Sequence, residues 1–447
     1  MIVCKFGGTS VGDAAAIRRL AAIVSGRQEE RPVVVVSALA KVTDALLALE
    51  QAPTGAGFIS RLKAIIDRHE QVARELGIPD AAITRIREDA RSLEHWGTAR
   101  DHARWSAADR DNVASLGELW SSRLVAATLA AADLRTSWVD ARHLIATDGQ
   151  HGQATPDQPE IRRRASRVVA PLVEAGIVPV TQGFIGATPD GHTTTLGRGG
   201  SDYTASLLGA ALDAGRVEIW TDVDGLLSAD PRIVPNAILL PEATYQEAAE
   251  LAAFGAKVLH PATQLPLIDA GIPCWVLNSF APDRPGTRIV PGAKPSHNGC
   301  SPVRSIAWKK GITVINVQAA RSLGAPGFLW QLFTVFARHS VAVDVLASSE
   351  VNVSVTIDET GRLAQLVEDL ESLGQVTVFE RRAIVAVIGI DLRGTRGLSA
   401  RLFGAVKDVN IEVISQGASE INVTFVVKEE DGPKAVQALH REFFDAG

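Results

Sequence analysis

The stretch Ile2-Val3-Cys4-Lys5-Phe6-Gly7-Gly8-Thr9-Ser10-Val11 begins as a short apolar run and then stops at a lysine and a pair of glycines. Segments rich in alanine and leucine, such as 121–133 and 201–214, follow later in the chain. Strands that alternate with such helices predict an α/β fold with a mainly parallel sheet, where ligands bind at the carboxyl ends of the strands. Three further apolar runs also end at polar or glycine-rich turns: Val33–Val36, Ile177–Val180 and Val217–Trp220.

The net charge of the chain indicates which classes of ligand it is suited to bind. The chain has 447 residues, with 45 Lys and Arg against 51 Asp and Glu, which gives a net charge of −6. A nucleic-acid binder normally carries a basic excess, so this class is disfavoured. A small anionic substrate stays compatible, because a local basic pocket can lie on an acidic protein.

The sequence also bears on location. It holds no run of about 18 apolar residues, and its first residues lack the basic and apolar regions of a signal peptide. Its three cysteines, Cys4, Cys274 and Cys300, form no CxxC pair and no metal pattern. A sparse, odd number of cysteines is typical of a reducing compartment, so we expect a cytoplasmic protein.

The second part of the chain contains an internal repeat. Residues 281–303 are rich in proline and glycine and are predicted to be a linker, which leaves a first domain over residues 1–295. Beyond it, several residues recur at an offset of 70, among them Gly327 as Gly397 and Glu350 as Glu420. This period predicts two copies of one module, over residues 304–380 and 381–447.

Each copy shows the order strand, helix, strand, strand, helix, strand, which is typical of a ferredoxin-like βαββαβ fold. In the first copy we predict a strand over 312–317 and a helix over 326–339. The remaining elements are a strand pair over 341–346 and 351–357 and a helix near 362–372.

Two glycine loops indicate an anion site. In Lys5–Val11, the two glycines let backbone amides turn toward an anion, and the lysine adds a mobile charge. In Thr193–Asp202, three glycines flank Arg198, which can clamp a carboxylate or phosphate, and a helix N-terminus follows. Neither loop has the Walker A or dinucleotide-binding spacing.

Further candidates complete this inventory. Thr221-Asp222-Val223-Asp224-Gly225 follows a predicted buried strand and suits a nucleotide site, and Lys257 follows a glycine closely enough to reach a phosphate. Glu118 is a lone acid in an apolar helical context. No covalent nucleophile set and no His or Cys metal pattern is present in the sequence. Phosphoryl transfer needs mainly positioning and neutralised charge, so a kinase is predicted.

These motifs, together with Trp220–Gly225 and Phe254–Pro261, resemble those of aspartate kinase over essentially the whole chain. The resemblance implies an amino-acid-kinase α/β/α sandwich followed by two ACT domains. It implies transfer of a phosphoryl group from MgATP to the β-carboxylate of L-aspartate, which gives 4-phospho-L-aspartate and ADP. This reaction is the first step of lysine, threonine and methionine biosynthesis. Because the sequence stops after the second repeat, we expect a monofunctional enzyme without a fused dehydrogenase.

The resemblance also assigns roles to residues. Lys5, Arg198 and Asp202 are implied to be catalytic, with ATP and Mg²⁺ as cofactors and no protein metal site. The implied substrate-binding residues are Ser37, Thr43, Glu118, Arg198 and Ser201. The implied ATP-binding residues are Lys5, Gly7, Gly8, Thr9, Thr221, Asp222, Arg232 and Lys257.

Three positions depart from the family pattern. Lys41 stands where a glycine is usual, and Asp44 where asparagine is common, which makes the assignment of the substrate loop less secure. Leu227 stands where some lysine-sensitive members have an aromatic residue, so adenine stacking at this position is not expected.

The resemblance further implies regulation by an end product. It implies a homodimer formed through the ACT domains, or a tetramer, with lysine as the favoured inhibitor and with threonine or insensitivity left open. Asp344 would bind the effector ammonium, and Ile414 takes its place in the second copy. The implied effector residues are Ser322, Ala325, Phe328, Leu329, Val343, Asp344, Ser349 and Glu350.

Two alternatives remain. One is a catalytically silent amino-acid sensor that acts through its ACT modules on a partner. The other is a kinase of the same fold that acts on a different amino-acid carboxylate, such as that of glutamate.

Overall fold

The computed structural model describes residues 1–53, 55–99, 104–255, 261–292, 301–319 and 327–445. It contains two compact units. The first comprises residues 1–226, 241–248 and 258–293, and the second comprises residues 227–240, 249–257 and 294–447. None of the described helices combines the length and the apolar character needed to cross a membrane.

The first unit is built on one large sheet flanked by helices. Its strands are β1 Ile2–Phe6, β2 Pro32–Val36, β3 Thr136–Trp138, β4 Val178–Gln182, β5 Ile185–Ala187, β6 Thr193–Thr195, β7 Arg216–Thr221, β8 Glu242–Thr244, β9 Cys274–Asn278 and β10 Thr287–Val290. The helices are α1 Ala14–Ser25, α2 Val42–Leu47, α3 Ala56–Leu76, α4 Asp80–Thr98, α5 Ala107–Ala131, α6 Gln158–Val168, α7 Ala170–Glu174, α8 Gly200–Ala211, α9 Tyr245–Ala253, which runs into the second unit, and α10 Leu265–Ala270.

The eight-stranded sheet has the order β3-β4-β2-β1-β7-β9-β10-β8, and β5 and β6 form a separate hairpin. All its neighbouring strands run parallel except β9 and β10. The central strands β1, β2 and β4 are buried along their whole length, because helices cover both faces of a parallel sheet. The predicted α/β fold is confirmed, and the four predicted apolar runs lie in β1, β2, β4 and β7.

The predicted linker over 281–303 is not a linker throughout. Its residues Thr287–Val290 form β10, which pairs with β8 and β9 of the large sheet. Thr287 and Ile289 are fully buried. The prolines and glycines that suggested a linker lie on either side of this short β-branched run, and they end the strand rather than prevent it.

The second unit contains a six-stranded antiparallel sheet with the order β12-β13-β11-β14-β16-β15. Its strands are β11 Val303–Ala319, β12 Leu346–Ser348, β13 Asn352–Ile357, β14 Gly374–Gly389, β15 Val413–Gln416 and β16 Asn422–Lys428. Its helices are α11 Phe328–Arg338, α12 Leu363–Glu371, α13 Leu398–Ala405 and α14 Gly432–His440.

The repeat is visible in the backbone. Gly327 and Gly397 are the N-caps of α11 and α13, and both have positive φ angles, of 96° and 76°. The strand predicted over 341–346 is displaced, since regular pairing begins only at Leu346. Before β12 the pairing is irregular: the Asp344 amide donates to the Thr356 carbonyl and the Thr356 amide to the Val345 carbonyl, each at 2.9 Å. The Val345 amide donates instead to the Thr356 hydroxyl at 2.8 Å.

The two copies share their long strands. The second half of β11 pairs with β13, whereas residues 303–310 pair with 383–389 of β14, next to β16. Val303 and Ile306 accordingly lie in one apolar core with the second copy, and Ile315 and Val317 lie in another with the first copy. The boundary at residues 380 and 381 stays a prediction, but the pairing adds 303–310 to the core of the second copy.

Candidate active site

Lys5 lies at the carboxyl end of β1, between the ends of β2 and β7. The Ser37 amide donates to the Phe6 carbonyl at 3.1 Å, and the Gly7 amide donates to the Trp220 carbonyl at 3.0 Å. These bonds extend the parallel ladders by one residue beyond each strand. The first glycine loop is thereby held against the two loops that follow the neighbouring strands.

Gly8 allows the neighbouring loop to approach closely, because a Cβ there would lie 3.2 Å from the Ala38 carbonyl. A Cβ at Gly7 would lie 3.5 Å from Lys5 Nζ, which is an ordinary contact distance. The Ala40 amide donates to the Gly8 carbonyl at 3.1 Å. The chain then forms a short 3₁₀ turn over 8–11. The lysine ammonium therefore lies close to the backbone of the first glycine loop.

A cleft of about 300 Å³ opens at this edge of the first unit. It brings together all the predicted catalytic and substrate-binding side chains, although they come from four separate segments of the chain. Its lining residues are Lys5, Ser37, Thr43, Glu118, Phe184, Gly197, Arg198, Gly199, Gly200, Ser201 and Asp202. Within it, Lys5 Nζ lies 2.6 Å from Asp202 Oδ1, and both side chains are largely buried.

The second glycine loop ends at the N-terminus of α8. Gly197 and Gly199 have φ angles of 74° and 75°, a left-handed conformation that favours glycine. Ser201 and Asp202 follow in the first turn of the helix, where free amides and the helix dipole favour an anion. Arg198 is exposed and has no hydrogen-bonding or ionic partner within the described ranges, so its guanidinium is available to a ligand.

Glu118 is a buried carboxyl in α5. The preceding Gly117 makes this possible, since a Cβ there would lie only 2.9 Å from the Ala38 Cβ. The Thr43 hydroxyl lies 3.5 Å from Glu118 Oε1, and Oε2 has no hydrogen-bond partner among the described residues. Burial raises the pKa of Glu118 to about 8. A cationic group in the cleft would relieve this cost.

The loop from Ser37 to Thr43 is held from two sides. The Ser121 hydroxyl donates to the Ser37 carbonyl at 2.7 Å. Arg68 of α3 donates to the Ala40 carbonyl at 2.7 Å and to the Gly12 carbonyl at 3.0 Å. Lys41 has a φ angle of 66°. This left-handed backbone accounts for the glycine that is usual at this position in similar proteins.

Apart from Lys5, the predicted nucleotide residues that the structure describes do not line the cleft. Thr221 ends β7, next to the first glycine loop, and its hydroxyl donates to Asp222 Oδ1 at 3.2 Å. Arg232 lies in segment 227–240 of the second unit, where it forms an ion pair with Asp230 at 2.6 Å. Lys257 lies outside the described residues.

The predicted effector residues lie in the first copy of the second unit, except that Ser322 and Ala325 fall outside the described residues. Phe328 is buried at the start of α11, and Leu329 is exposed. Asp344 pairs with Lys309 Nζ at 2.9 Å. Lys309 also contacts Asp358 at 2.8 Å.

The remaining effector candidates lie before and after β12. Val343 packs against the apolar core of the first copy, and Glu350 is exposed. The Ser349 hydroxyl accepts the Asn352 amide at 3.2 Å.

Sequence reasoning missed Phe184 and Arg68. Phe184 lines the cleft with a φ angle of 71°, which is unusual for a bulky residue. Its amide donates to the Thr204 hydroxyl at 3.0 Å, and its carbonyl accepts the Leu196 amide at 2.9 Å. Its position just beyond the carboxyl end of β4 could have indicated from the sequence that it lies at the site. Arg68 gave none, because its helix is remote in sequence from both carbonyls that it binds.

Comparison with known proteins agrees with this geometry. The profile of the amino acid kinase family matches residues 1–278, and an ACT domain profile matches residues 385–443. The chain is 39% identical over 457 residues to lysine-sensitive aspartokinase 3 of Escherichia coli, covering 100% of this chain and 99% of that protein. It is 36% identical to the chloroplastic aspartokinase 1 of Arabidopsis thaliana, covering 100% of this chain and 80% of that protein.

Solved structures give the same result. The fold matches E. coli aspartokinase III in complex with aspartate and ADP, with a TM-score of 0.84, 38% identity and coverage of 99% of this chain and 100% of that chain. It also matches the same enzyme in complex with lysine and aspartate, with a TM-score of 0.86, 38% identity and 99% coverage of both chains. The chain therefore belongs to the amino acid kinase family, within its aspartokinase branch.

Proposed function

We propose that this chain transfers a phosphoryl group from MgATP to the β-carboxylate of L-aspartate and releases 4-phospho-L-aspartate and ADP. The observation that carries the proposal is the single cleft in which Lys5, Glu118, Arg198 and Asp202 meet. A dicarboxylic amino acid that accepts a phosphoryl group on one carboxylate needs three charged partners. It needs a cation that binds a carboxylate, an anion that binds its ammonium, and a further cation for the transferred group.

The amino acid is held by opposite charges in this proposal. Arg198 clamps a substrate carboxylate with two hydrogen bonds. Glu118 receives the α-ammonium on Oε2, the buried oxygen that has no partner in the described structure. Ser37, Thr43 and Ser201 supply hydroxyls around the same cleft. Binding of the ammonium ionises Glu118, because an adjacent cation favours the carboxylate form.

Catalysis rests on positioning and charge. Lys5 neutralises charge on the transferred group, and Asp202 holds the lysine ammonium at 2.6 Å. Gly7, Gly8 and Thr9 line the phosphate path beside it. The substrate β-carboxylate is itself the nucleophile, so the protein need not supply a covalent one.

The nucleotide is assigned to Thr221, Asp222, Arg232 and Lys257. Thr221 and Asp222 are supported by their position at the end of β7, next to β1. No cluster of three His, Cys, Asp or Glu side chains suited to a metal occurs in the described part of the chain. Mg²⁺ commonly keeps its waters and binds substrate phosphates, so we assign it to ATP rather than to a cage of protein ligands.

We propose that lysine inhibits the enzyme by binding to the first copy of the repeat, with Asp344 as the partner of its ammonium. The complex of E. coli aspartokinase III with lysine supports lysine over threonine.

A homodimer through the first copy of the repeat is supported by an apolar patch on α11. Leu329, Trp330 and Phe333 are 41%, 71% and 39% exposed in the single chain.

A cytoplasmic location is supported by the buried free thiols Cys4 and Cys274.

A coupled assay of ADP release tests the function. Folded protein with MgATP and L-aspartate should form ADP well above the rate without amino acid. The silent-sensor alternative predicts no ADP above background. L-glutamate in place of L-aspartate decides the remaining alternative, and a higher kcat/KM for glutamate would overturn the substrate assignment.

A further inference from the structure

We propose that Asp111 is a positioning residue, which holds the second glycine loop and thereby sets the place of Arg198. The proposal rests on the proposed function of Arg198 as the carboxylate clamp. Asp111 lies in α5, is only 3% exposed, and does not line the cleft. It therefore acts through another residue and not on the substrate.

The Asp111 carboxylate joins two loops. Its Oδ1 accepts the Thr195 hydroxyl at 2.6 Å, and its Oδ2 accepts the Thr195 amide at 3.2 Å. The same Oδ2 accepts the Gly152 amide at 3.1 Å and lies 2.8 Å from His151 Nδ1. An ionised carboxylate only accepts, so His151 donates through Nδ1. Four donors thus converge on one side chain.

Leu196 and Gly197, which lie between Thr195 and Arg198, are also held by contacts with neighbouring loops. The Leu196 amide is held by the Phe184 carbonyl at 2.9 Å. A Cβ at Gly197 would lie 3.1 Å from the Gly152 carbonyl, so the loop that Asp111 binds packs directly on the glycine loop. Arg198 follows with no partner of its own within the described ranges. The direction of its guanidinium therefore depends on how its backbone is held.

Asp111→Asn is the decisive variant. The amide has the same shape, but its NH₂ group would face donors, so at least one of the four bonds is lost. We expect the KM for aspartate to rise about 10-fold or more while the KM for ATP stays within about two-fold. Loss of mere structural support would lower the melting temperature and affect both KM values alike.

A matched control lies in the same loop. The half-buried Asp148 accepts the amides of Gln150 and Thr155 at 3.1 and 2.9 Å, but it makes no bond to the glycine loop. Asp148→Asn should therefore leave both KM values unchanged. If Asp111→Asn does not fold, Thr195→Val removes only the 2.6 Å bond and should raise the KM for aspartate about 3- to 10-fold.

A double-mutant cycle tests whether Asp111 acts through Arg198. If Asp111 acts through Arg198, Asp111→Asn adds nothing to the defect of Arg198→Ala. Additive defects, or an unchanged KM for aspartate in folded Asp111→Asn and Thr195→Val, would overturn the proposal. A wild-type protein that forms no ADP from aspartate would instead overturn the proposed function, so the two failures are distinguishable.

Discussion

Lys5 Nζ lies 2.6 Å from Asp202 Oδ1, which joins the end of the first strand to the first turn of α8. The ion pair keeps the lysine ammonium inside the cleft when no phosphate is bound. Because a phosphoryl group in transfer carries spread negative charge, the ammonium can stabilise it without a large rearrangement.

Lys5→Ala should lower kcat by roughly 100-fold or more, because preorganised charge at the reacting group is lost. The rate of ADP release at saturating substrates measures this. Lys63→Ala is the control, since Lys63 is exposed in α3 and does not line the cleft, and it should keep wild-type turnover. Near-normal turnover of Lys5→Ala would remove this lysine from the catalytic role.

Arg198→Ala should weaken the use of aspartate rather than of ATP. The loss of hydrogen bonds to a charged carboxylate corresponds to a rise of about 10- to 100-fold in the KM for aspartate. Titration of each substrate at a saturating level of the other separates the two effects. Arg163→Ala, which removes an exposed arginine paired with Glu160, should change neither value. An unaltered KM and kcat in Arg198→Ala would contradict the clamp.

Glu118 should make stability depend on pH. Burial raises its pKa from the ordinary value of 4.5 to about 8, so between these values the folded chain binds a proton that the unfolded chain has lost. The contribution of this group to the free energy of unfolding is therefore complete below about pH 4.5 and falls as the pH rises toward 8. Glu118→Gln should remove this loss. Urea unfolding of both proteins at about pH 5 and about pH 8.5 should show the variant gaining relative stability at the higher pH.

The same carboxyl should govern the affinity for aspartate. Only ionised Glu118 pairs with the α-ammonium, so the KM for aspartate should fall as the pH rises from about 6 toward about 8. In Glu118→Gln the KM should be higher and nearly independent of pH over this range. A parallel slope in the variant would assign the pH dependence to another group.

Asp344→Ala should weaken inhibition by lysine by about 10- to 100-fold, because a charge-assisted hydrogen bond to the effector ammonium is lost. Asp358→Asn is the matched control, because Asp358 also contacts Lys309 but is not among the predicted effector residues. Activity titrated with lysine and with threonine measures both. Full lysine inhibition in Asp344→Ala would place the effector elsewhere.

The sequence predicted the residues that line the cleft better than the residues that hold its loops in place. Lys5, Arg198 and Asp202 could be found because glycines and strand ends mark them locally, and the cleft does bring them together. Arg68 and Asp111 lie in helices, and nothing in their local sequence shows that they bind distant carbonyls, amides or hydroxyls. Such contacts depend on packing between segments, which periodicity does not report.

The same reason explains one misplaced element and one contact that was not predicted. The run Thr287–Val290 was hidden by flanking prolines and glycines, yet pairing with β8 and β9 makes it a strand. The pairing of Lys309 with Asp344 was also not foreseen. Residues remote in sequence acquire such partners only when the sheet is assembled.

Residues 303–310 complete the sheet of the second copy, although the remainder of the first copy lies between them and the rest of that sheet. During synthesis on a ribosome, this early strand must wait until residues 382–428 have emerged. Folding of the inserted copy brings the two halves close and shortens the loop that has to close. A fragment that begins after residue 310 would leave one side of β14 without a neighbour there, and such an open strand edge promotes association between chains.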